Sequence, residues 1–479
     1  MPKVPKVPDV PRVPDVQRAS LHRTAGTLGT LHFRHFAHVR HLRHLRHFRY
    51  LAIALLAFTL QASASEPFTY SFGVAAPAEI IATVTARCDQ CDWSVEGREA
   101  VVLTLTLDGR SLRHLPLVRT GRAEYRVLMG EVPPGPHALA IDEAAGLTAR
   151  SLRGGKAVVE RVSIEQVTES SPEYRAIVYA PILFARPDSV GRFTDVPVFM
   201  WYEVEPTSRG TRYRYSVIFT NEDGGTPADR LMATWGRTTD IEYVHSVEVG
   251  RDGHMVDADM QGPKHEVLPF RGLRVEGVHP LLWVSTDNNM VLDRGTTDVR
   301  YAPAPVLFSL ADVSRERVMD AHPWLYEVAA KELIREGKIA ANAPPGKGQI
   351  PDPRRFVYVE ACGEVGTSAL AFAIQIGNEW LASDRGVPEY RIVRDGCFRV
   401  AIPVPMGTTA RDIRALRAQA YSRTASGKSQ VPAPSIVRLT TVNRVFMLDD
   451  THTPQPSVMQ WSGSRSVTPD GSPIQILPQ

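Results

Sequence analysis

The residues best suited to chemistry lie in a polar run from 220 to 293, among strand-like segments. Its sharpest motif is Asp240-Ile241-Glu242, because residues two apart in a strand face the same way. Two carboxylates on one face bind a hard cation such as Ca²⁺ or Mg²⁺. They also divide acid and base roles when burial separates their pKa values. A solvated strand face is the simpler interpretation of the motif taken alone.

Two loops add oxygen ligands to this acidic strand. Asn221 to Gly225 follows a strand that ends near Phe219, and Asp287 to Asn289 follows the predicted strand Leu281–Ser285. Loops held at one end of a rigid sheet often carry function. The spacing of an EF-hand is absent. The predicted metal or ligand residues are Glu222, Asp223, Asp240, Glu242, Asp287, Asn288, Asn289 and Asp293.

Histidines provide weaker candidates for this site. His265 and His279 are predicted to assist, although each alone is more typical of an ordinary polar residue. His245 lies at an odd offset from Asp240, so strand parity predicts that it points away from that carboxylate. Four tryptophans are candidates for a sugar-binding surface, although aromatic residues in β-sandwiches more often belong to the core: Trp93, Trp201, Trp235 and Trp283.

Several common catalytic motifs are missing from the sequence. There is no G-x-S-x-G nucleophile elbow, no H-E-x-x-H zinc motif and no phosphate-binding loop pattern. These absences argue against a serine hydrolase of that fold and against a nucleotide-dependent enzyme.

The first 64 residues predict a leader. Basic repeats precede the apolar run Leu51 to Leu60, and Ala62-Ser63-Ala64 supplies a small-residue cleavage pattern. These three parts are typical of a secretory signal peptide. The repeats are consistent with a long n-region or a start codon placed too early. An uncleaved membrane anchor is the lesser alternative.

Removing the leader changes the charge balance. Residues 1–64 carry ten of the 55 Lys and Arg and two of the 52 Asp and Glu, so the remaining 45 and 50 give a net charge of −5. A nucleic-acid partner therefore loses its electrostatic support. We predict an exported protein, periplasmic or secreted, from which the leader is removed. Its only membrane contact, if any, would be through an uncleaved leader.

The four cysteines fit that compartment. An even number in an exported chain indicates disulfides, and proximity favours Cys88–Cys91 and Cys362–Cys397. Cys88-x-x-Cys91 is also compatible with a redox pair or half a zinc site, but no second such motif or thioredoxin-like pattern accompanies it.

The elements that position these residues are mainly strands. Alternating apolar residues and turn clusters predict a multi-domain β-sandwich protein. Apolar spacing from about Ser314 to Gly337 predicts one helix, kinked or restarted at Pro323. The predicted units are a sandwich at 66–165, a central β-rich domain with this helix at 170–342, a sandwich at 354–450 and a disordered tail at 451–479.

Residues 176–300 resemble the vacuolar-sorting-associated and necrosis-inducing-protein-like β-sandwiches. Ala180-Pro181-Ile182-Leu183 is similar to their opening segment, Asp240-Ile241-Glu242 to their Asp-Trp-Glu strand, and His279 to Val284 to their later His-Pro strand. Ile241 replaces the tryptophan, the histidines flanking the necrosis-inducing motif are missing, and Asn288 or Asn289 replaces a later histidine. The resemblance implies a β-sandwich with a cation at the acidic strand.

Three functional hypotheses follow. The leading one is a cation-assisted binding protein for an extracellular or envelope ligand, such as a carbohydrate, with Ca²⁺ or Mg²⁺ as the ion. The second is a metal-dependent hydrolase in which Asp240 and Glu242 are ligands or acid and base groups. The third is a structural envelope protein whose polar loops hold no ion.

Overall fold

The first pair of sheets arises from alternating apolar residues in the computed structural model. Leu103, Leu105 and Leu107 are buried, while Thr104 and Thr106 on the other face are partly exposed. The sheets have strand orders β1-β6-β3-β4 and β5-β2-β7, with a shared apolar core between them. The strands are β1 Phe68–Val74, β2 Ala78–Arg87, β3 Val102–Leu107, β4 Ser111–Pro116, β5 Ala123–Val132, β6 Gly135–Glu143 and β7 Val158–Val167.

The second pair of sheets carries the acidic motif. Its six-stranded sheet has the order β13-β12-β11-β10-β9-β18, and the facing sheet has the order β14-β15-β8-β17, with β16 beside β15. The elements are α1 Tyr174–Val178, β8 Ile182–Phe184, β9 Pro197–Pro206, β10 Gly210–Phe219, α2 Ala228–Trp235, β11 Asp240–Gly250, β12 Met255–Gln261, β13 Val267–Pro269, β14 Arg274–Val275, β15 His279–Val284, β16 Val291–Leu292, β17 Arg300–Tyr301 and β18 Val306–Leu307.

The predicted helix is present and is broken where the sequence indicated. It forms α3, Arg317–Ala321, and α4, Trp324–Arg335, with Pro323 at the N-cap of the second piece. Gly337 follows α4 with φ of 67°, the left-handed conformation that glycine adopts most easily after a helix. Helices α1 and α2 were not predicted.

The third pair of sheets has the orders β22-β19-β24-β25 and β21-β20-β23-β26, again around a shared core. The strands are β19 Phe356–Glu364, β20 Ser368–Ile376, β21 Glu379–Ala382, β22 Gly396–Pro403, β23 Ile413–Ser422, β24 Val437–Phe446, β25 Met459–Val467 and β26 Ile474–Pro478. Short 3-10 turns are formed by Arg150–Leu152, Pro353–Arg355, Pro388–Tyr390 and Ala410–Asp412.

The predicted disordered tail is wrong over most of its length. β25 pairs with β24 and β26 pairs with β23, each antiparallel. Met459, Val467 and Ile476 are buried, while the residues of β25 between Met459 and Val467 are mostly exposed. The polar composition that suggested disorder therefore belongs to the exposed faces of two edge strands.

The mainly β fold class with few helices is confirmed. The structure describes residues 68–222, 224–423 and 432–478, which belong to one compact unit, Ala62–Gln479. The division into separate domains stays a prediction. The predicted leader, residues 1–64, lies outside the described residues. No helix in the described ranges is long and apolar enough to cross a membrane.

Both predicted disulfides are formed. Cys88 is bonded to Cys91, and Cys362 on β19 is bonded to Cys397 on the neighbouring strand β22. The pairing supports the structural interpretation of Cys88-x-x-Cys91 over half a zinc site, and it suits an oxidising compartment.

Candidate functional site

A polar cavity of about 390 Å³ lies at the end of strand β11 where the acidic motif begins. We call it the carboxyl cavity. Its lining includes both predicted loops and the acidic strand. The lining residues are Glu222, Gly225, Thr226, Leu231, Trp235, Arg237, Asp240, Glu242, Gln261, His265, Asn288 and Arg315.

Strand pairing places the two carboxylates of the motif on one face, as predicted. Asp240 is opposite Phe219 and Glu242 is opposite Val217 in the antiparallel pair of β10 and β11. Phe219 and Val217 belong to the core between the two central sheets. Asp240 and Glu242 therefore project from the same side as that core, at the end of the strand.

The prediction that His245 points away from Asp240 is wrong. The register of β10 and β11 shifts so that Tyr215 is opposite His245 and Ser216 is opposite Tyr243. One extra residue, Val244, lies in β11 at this bulge. The bulge returns His245 to the face that carries Asp240.

His245 nevertheless belongs to the core and does not line the carboxyl cavity. Its ring is fully buried between Tyr215, at a centroid distance of 6.0 Å, and Phe270, at 5.4 Å. Burial lowers its pKa to about 3, so the imidazole is neutral at physiological pH.

The two predicted loops meet at this end of the sheet. The amide N–H of Gly224 donates to the carbonyl of Asp287 over 3.3 Å. The Nδ2 of Asn289 lies 3.2 Å from the Asn221 carbonyl and 3.0 Å from Oδ2 of Asp240. Asn289 is fully buried and joins both loops to the acidic strand from behind the cavity.

The three carboxyl groups of the cavity resist ionisation. Burial, and then the charge of Asp240, raise the pKa of Glu222 to about 7. Burial and the same neighbour raise the pKa of Glu242 well above its ordinary value. Burial also raises the pKa of Asp240, against the opposing charge of Arg237. The cavity is therefore short of positive charge for its number of carboxyls.

Two guanidiniums and a tryptophan form another part of the wall. Arg237 Nη1 lies 3.8 Å from Asp240 Oδ1, but its Nε lies 3.2 Å from Glu316. Arg315 donates to the carbonyl of Ile241 over 3.0 Å. Both guanidiniums lie 5.4 Å from the ring centre of Trp235, which is half-buried.

Amide groups and a histidine complete the wall near Glu242. Gln261 Nε2 donates to Glu242 Oε2 over 2.7 Å and lies 3.1 Å from His265 Nδ1. Asn288 Nδ2 lies 3.2 Å from His265 Nε2. His265 is exposed and lies at the cavity as predicted, and a neutral imidazole accepts a hydrogen bond from only one of these two amide groups.

Besides Asn289, three predicted residues do not line the cavity: Asp287, Asp293 and His279. Asp287 is exposed and forms an ion pair with Arg186. Asp293 pairs with Arg294 and accepts the Arg271 amide N–H.

His279 is fully buried away from the cavity, with Nδ1 2.8 Å from the Ala180 carbonyl and Nε2 3.0 Å from Glu79. His279 is the first residue of β15, whereas the loop that contains Asn288 follows the last residue of this strand. The two therefore lie at opposite ends of β15. Asp223 lies outside the described residues.

The prediction omitted Gln261, Arg237, Arg315 and Trp235 from the site. Trp235 ends helix α2, which begins after Pro227 and is followed by Gly236 in the left-handed conformation. Proline at the start and glycine just past the end are a recognisable helix signature. This signature was available in the sequence. The approach of Arg315 from the segment before α3 was not.

The fit to a divalent cation is partial. The described residues contain no group of three His, Cys, Asp or Glu side chains arranged to hold a metal ion. The Oδ1 of Asn289, buried beside Asp240, has no hydrogen-bond partner within the described ranges. Ca²⁺ accepts amide oxygens and waters besides carboxylates. A bound ion would therefore need oxygens beyond these carboxylates.

Comparison with known proteins gives no family. No family model matches the chain, and no curated protein matches it. A Podospora anserina GH26-CBM35 β-(1,4)-mannanase shares 12% identity over 23% of this chain and 21% of its own, with a TM-score of 0.17. The C-terminal domain of EclA, a sugar-binding protein, shares 19% identity over 21% of this chain and 68% of its own, with a TM-score of 0.16.

The chain thus covers about a fifth of the mannanase. These similarities are too low to carry a functional argument.

Proposed function

We propose that the carboxyl cavity is a cation-assisted binding site for a polyhydroxylated ligand, such as a carbohydrate or a cell-envelope component, in an exported protein. One observation carries the proposal: Glu222, Asp240 and Glu242 share one cavity in which every one of their pKa values is raised. A divalent cation supplies the positive charge that would let all three ionise.

The protein oxygens at this cavity are too few to surround a cation completely. This favours an ion that also binds the ligand over an ion that is enclosed by protein and has only a structural role. Ca²⁺ takes six to eight oxygens, some of them from water. Carboxylates of the cavity supply part of that number, and ligand hydroxyls replace the waters in the remainder. The ion then joins the ligand to the protein.

The rest of the wall suits a sugar. Gln261 and Asn288 present amide groups, and Trp235 presents part of a half-buried ring. A ligand site commonly combines a few positioned polar groups with aromatic surface. The guanidinium of Arg394 lies 3.4 Å from the centre of the Trp235 ring, so a sugar would contact the part of the ring that this side chain leaves uncovered. The amides would bond to hydroxyls.

The cation is tested by thermal melting of chelator-treated protein with and without Ca²⁺ or Mg²⁺. Binding to the native state alone stabilises it by about 2.7 kcal/mol at a hundred-fold excess over Kd. We expect the ion-dependent rise in melting temperature to vanish in Glu242→Gln and to persist in Glu379→Gln, an exposed carboxyl on β21. No rise in the parent protein would remove the cation from the proposal.

The ligand is tested on a glycan array, with Ca²⁺ or with chelator. Binding that requires the ion and is lost in Glu242→Gln is the expected result. A folded parent protein that binds no glycan in either condition would contradict a carbohydrate ligand.

The hydrolase remains a second candidate because the pKa of Glu222 is raised to about 7, the range in which a general acid or base works best. Turnover in a panel of glycosides and esters, lost in a Glu222→Gln variant that still unfolds cooperatively, would favour it. Binding without turnover favours the binding protein.

A further inference from the structure

A second cavity, of about 210 Å³, lies between the first pair of sheets and the central six-stranded sheet. Its walls come from β4 and β5, from the beginning of β9, from the segment joining β17 to β18, and from the start of α4. We call it the aromatic cavity. The two cavities share no lining residue in the described part of the chain.

The body of the aromatic cavity is apolar and rich in rings. Phe199, Tyr301 and Trp324 line it, together with the aliphatic side chains of Val198 and Met200. Phe199 and Val198 are only half-buried, so apolar surface on β9 is left uncovered. A cavity of about 150 Å³ with such a lining is enough to bind benzene. The present volume suits a substituted or two-ring aromatic group.

Two histidines at this cavity can present hydrogen-bond donors. His114 Nδ1 accepts the Arg300 amide N–H over 3.0 Å, and burial lowers the pKa of this histidine. The neutral ring therefore carries its proton on Nε2, which has no acceptor among the described residues. His322, whose pKa burial also lowers, lies with its ring centre 4.3 Å from that of Phe199.

One cation at the cavity lacks an acidic partner. The guanidinium of Arg119 lies 5.2 Å from the ring centre of Trp324, and its Nη1 donates to the Glu124 carbonyl over 3.3 Å. Within the described ranges it forms no ion pair with a carboxylate. The other charges in the lining are Arg126, which is paired with Glu165, and the exposed side chain of Glu124.

We infer that the aromatic cavity binds an aromatic carboxylate, with the ring against Phe199, Met200 and Tyr301. The carboxylate lies toward Arg119 and the two histidines. This arrangement pairs an apolar body with a few polar groups that fix orientation, as small-molecule sites do. The donors and the guanidinium without an ion-pair partner among the described residues favour an anion, and the volume of about 210 Å³ limits the size of the group that is buried. The inference does not depend on the carboxyl cavity.

Calorimetric titration with 2-naphthoate tests the inference, with 2-naphthalenemethanol as the neutral analogue. We expect the parent protein to bind naphthoate more tightly than the alcohol. Arg119→Met should weaken naphthoate binding by about ten- to one-hundred-fold, the value of a charge-assisted hydrogen bond, and should leave binding of the alcohol nearly unchanged. Arg411→Met, an exposed arginine remote in sequence, is the matched control.

A second test blocks the aromatic cavity with a larger side chain. Ala304→Phe places a ring in the cavity and should abolish binding of both compounds; Val306→Phe on the edge strand β18 serves if the first variant fails to fold, as judged by melting. No binding of naphthoate to the folded parent at millimolar concentration would overturn the inference. Binding that survives in a folded, filled variant would also overturn it, and an equal loss of both compounds in Arg119→Met would overturn the anion preference.

Discussion

Individual side chains set the chemistry of the carboxyl cavity through their burial. Asp240 is only 2% exposed, and its charge is felt by both Glu222 and Glu242. Three acids in one low-dielectric cavity cannot all ionise without added positive charge. Arg237 supplies part of that charge, but Glu316 shares it. The protonation of the three acids should therefore respond both to pH and to a cation.

Glu222→Gln should flatten the pH dependence of stability. The pKa of Glu222 is raised to about 7 in the folded protein and is near 4.3 in an unfolded chain. The unfolded state therefore releases the proton first, and stability falls as pH rises from about 4.3 to 7. The fall attributable to this group is on the order of 3–4 kcal/mol. Urea unfolding under chelator, from pH 4.5 to 8, measures it.

Glu379→Gln is the control for this experiment, since that side chain is exposed on β21. The parent protein and the control should show the same slope, with the slope reduced in Glu222→Gln. An identical slope in all three proteins would mean that Glu222 ionises normally.

Asn289→Ala should destabilise the protein by about 2 kcal/mol. The substitution removes the hydrogen bonds of Asn289 to Asp240 and to the Asn221 carbonyl, and it places alanine at a φ of 55°. Asparagine tolerates that conformation better than alanine does. Chemical denaturation measures the loss, and Asn288→Ala, half-buried next to it, should cost less. Equal losses would show that Asn289 does not join the loops.

At the scale of elements, a single extra residue decides which side chains share a face. Asp240 and Glu242 were correctly placed together by strand parity, but the bulge at Val244 reversed the prediction for His245. A bulge shifts the pairing of two strands by one residue. The sequence of the bulged strand can still show the alternation of a regular strand. The position of the bulge depends on the partner strand β10, so parity within one strand cannot reveal it.

His245→Phe should raise the free energy of unfolding by about 1 kcal/mol at pH 7. Both ring nitrogens of His245 are buried without a hydrogen-bond partner among the described residues, between the rings of Tyr215 and Phe270. Phenylalanine keeps the ring contacts and removes the unsatisfied atoms. Thermal and chemical unfolding measure the change, with Tyr243→Phe on the opposite face as control.

The same variant should be less sensitive to acid. The pKa of His245 is lowered to about 3 in the folded protein. Between about pH 6.5 and pH 3 the histidine is therefore protonated in the unfolded state and neutral in the folded state. Stability that is present above pH 6.5 is lost as pH falls toward 3. A variant that loses stability as steeply as the parent over this range would contradict the assignment.

At the scale of the whole molecule, the sequence predicted the β-rich class, both disulfides and the broken helix. Those features depend on local patterns: alternation, cysteine spacing and Pro323. The prediction of a disordered C-terminal tail is wrong because β25 and β26 complete sheets whose other strands come earlier in the chain. The predicted site also included Asp287 and Asp293, because sequence proximity to Asn288 does not specify which side chains of a turn face the cavity.

Ile476→Ala should lower the free energy of unfolding by about 2–4 kcal/mol. Ile476 on β26 is 4% exposed and packs in the core of the third pair of sheets. Gln475→Ala, the exposed neighbour on the same strand, is the matched control and should cost little. Equal stability of the two variants would indicate that the last strand does not pack, as the prediction of a disordered tail assumed.

Proton release on Ca²⁺ binding tests the central claim most directly. Calorimetric titration of chelator-treated protein near pH 7, in buffers of different ionisation enthalpy, reports both the affinity and the protons displaced. The account predicts that Ca²⁺ binds with release of a proton, that the release diminishes at pH 8.5, and that Glu222→Gln reduces it. An absence of binding, or binding whose proton release is unchanged in Glu222→Gln, would contradict the cation-assisted site.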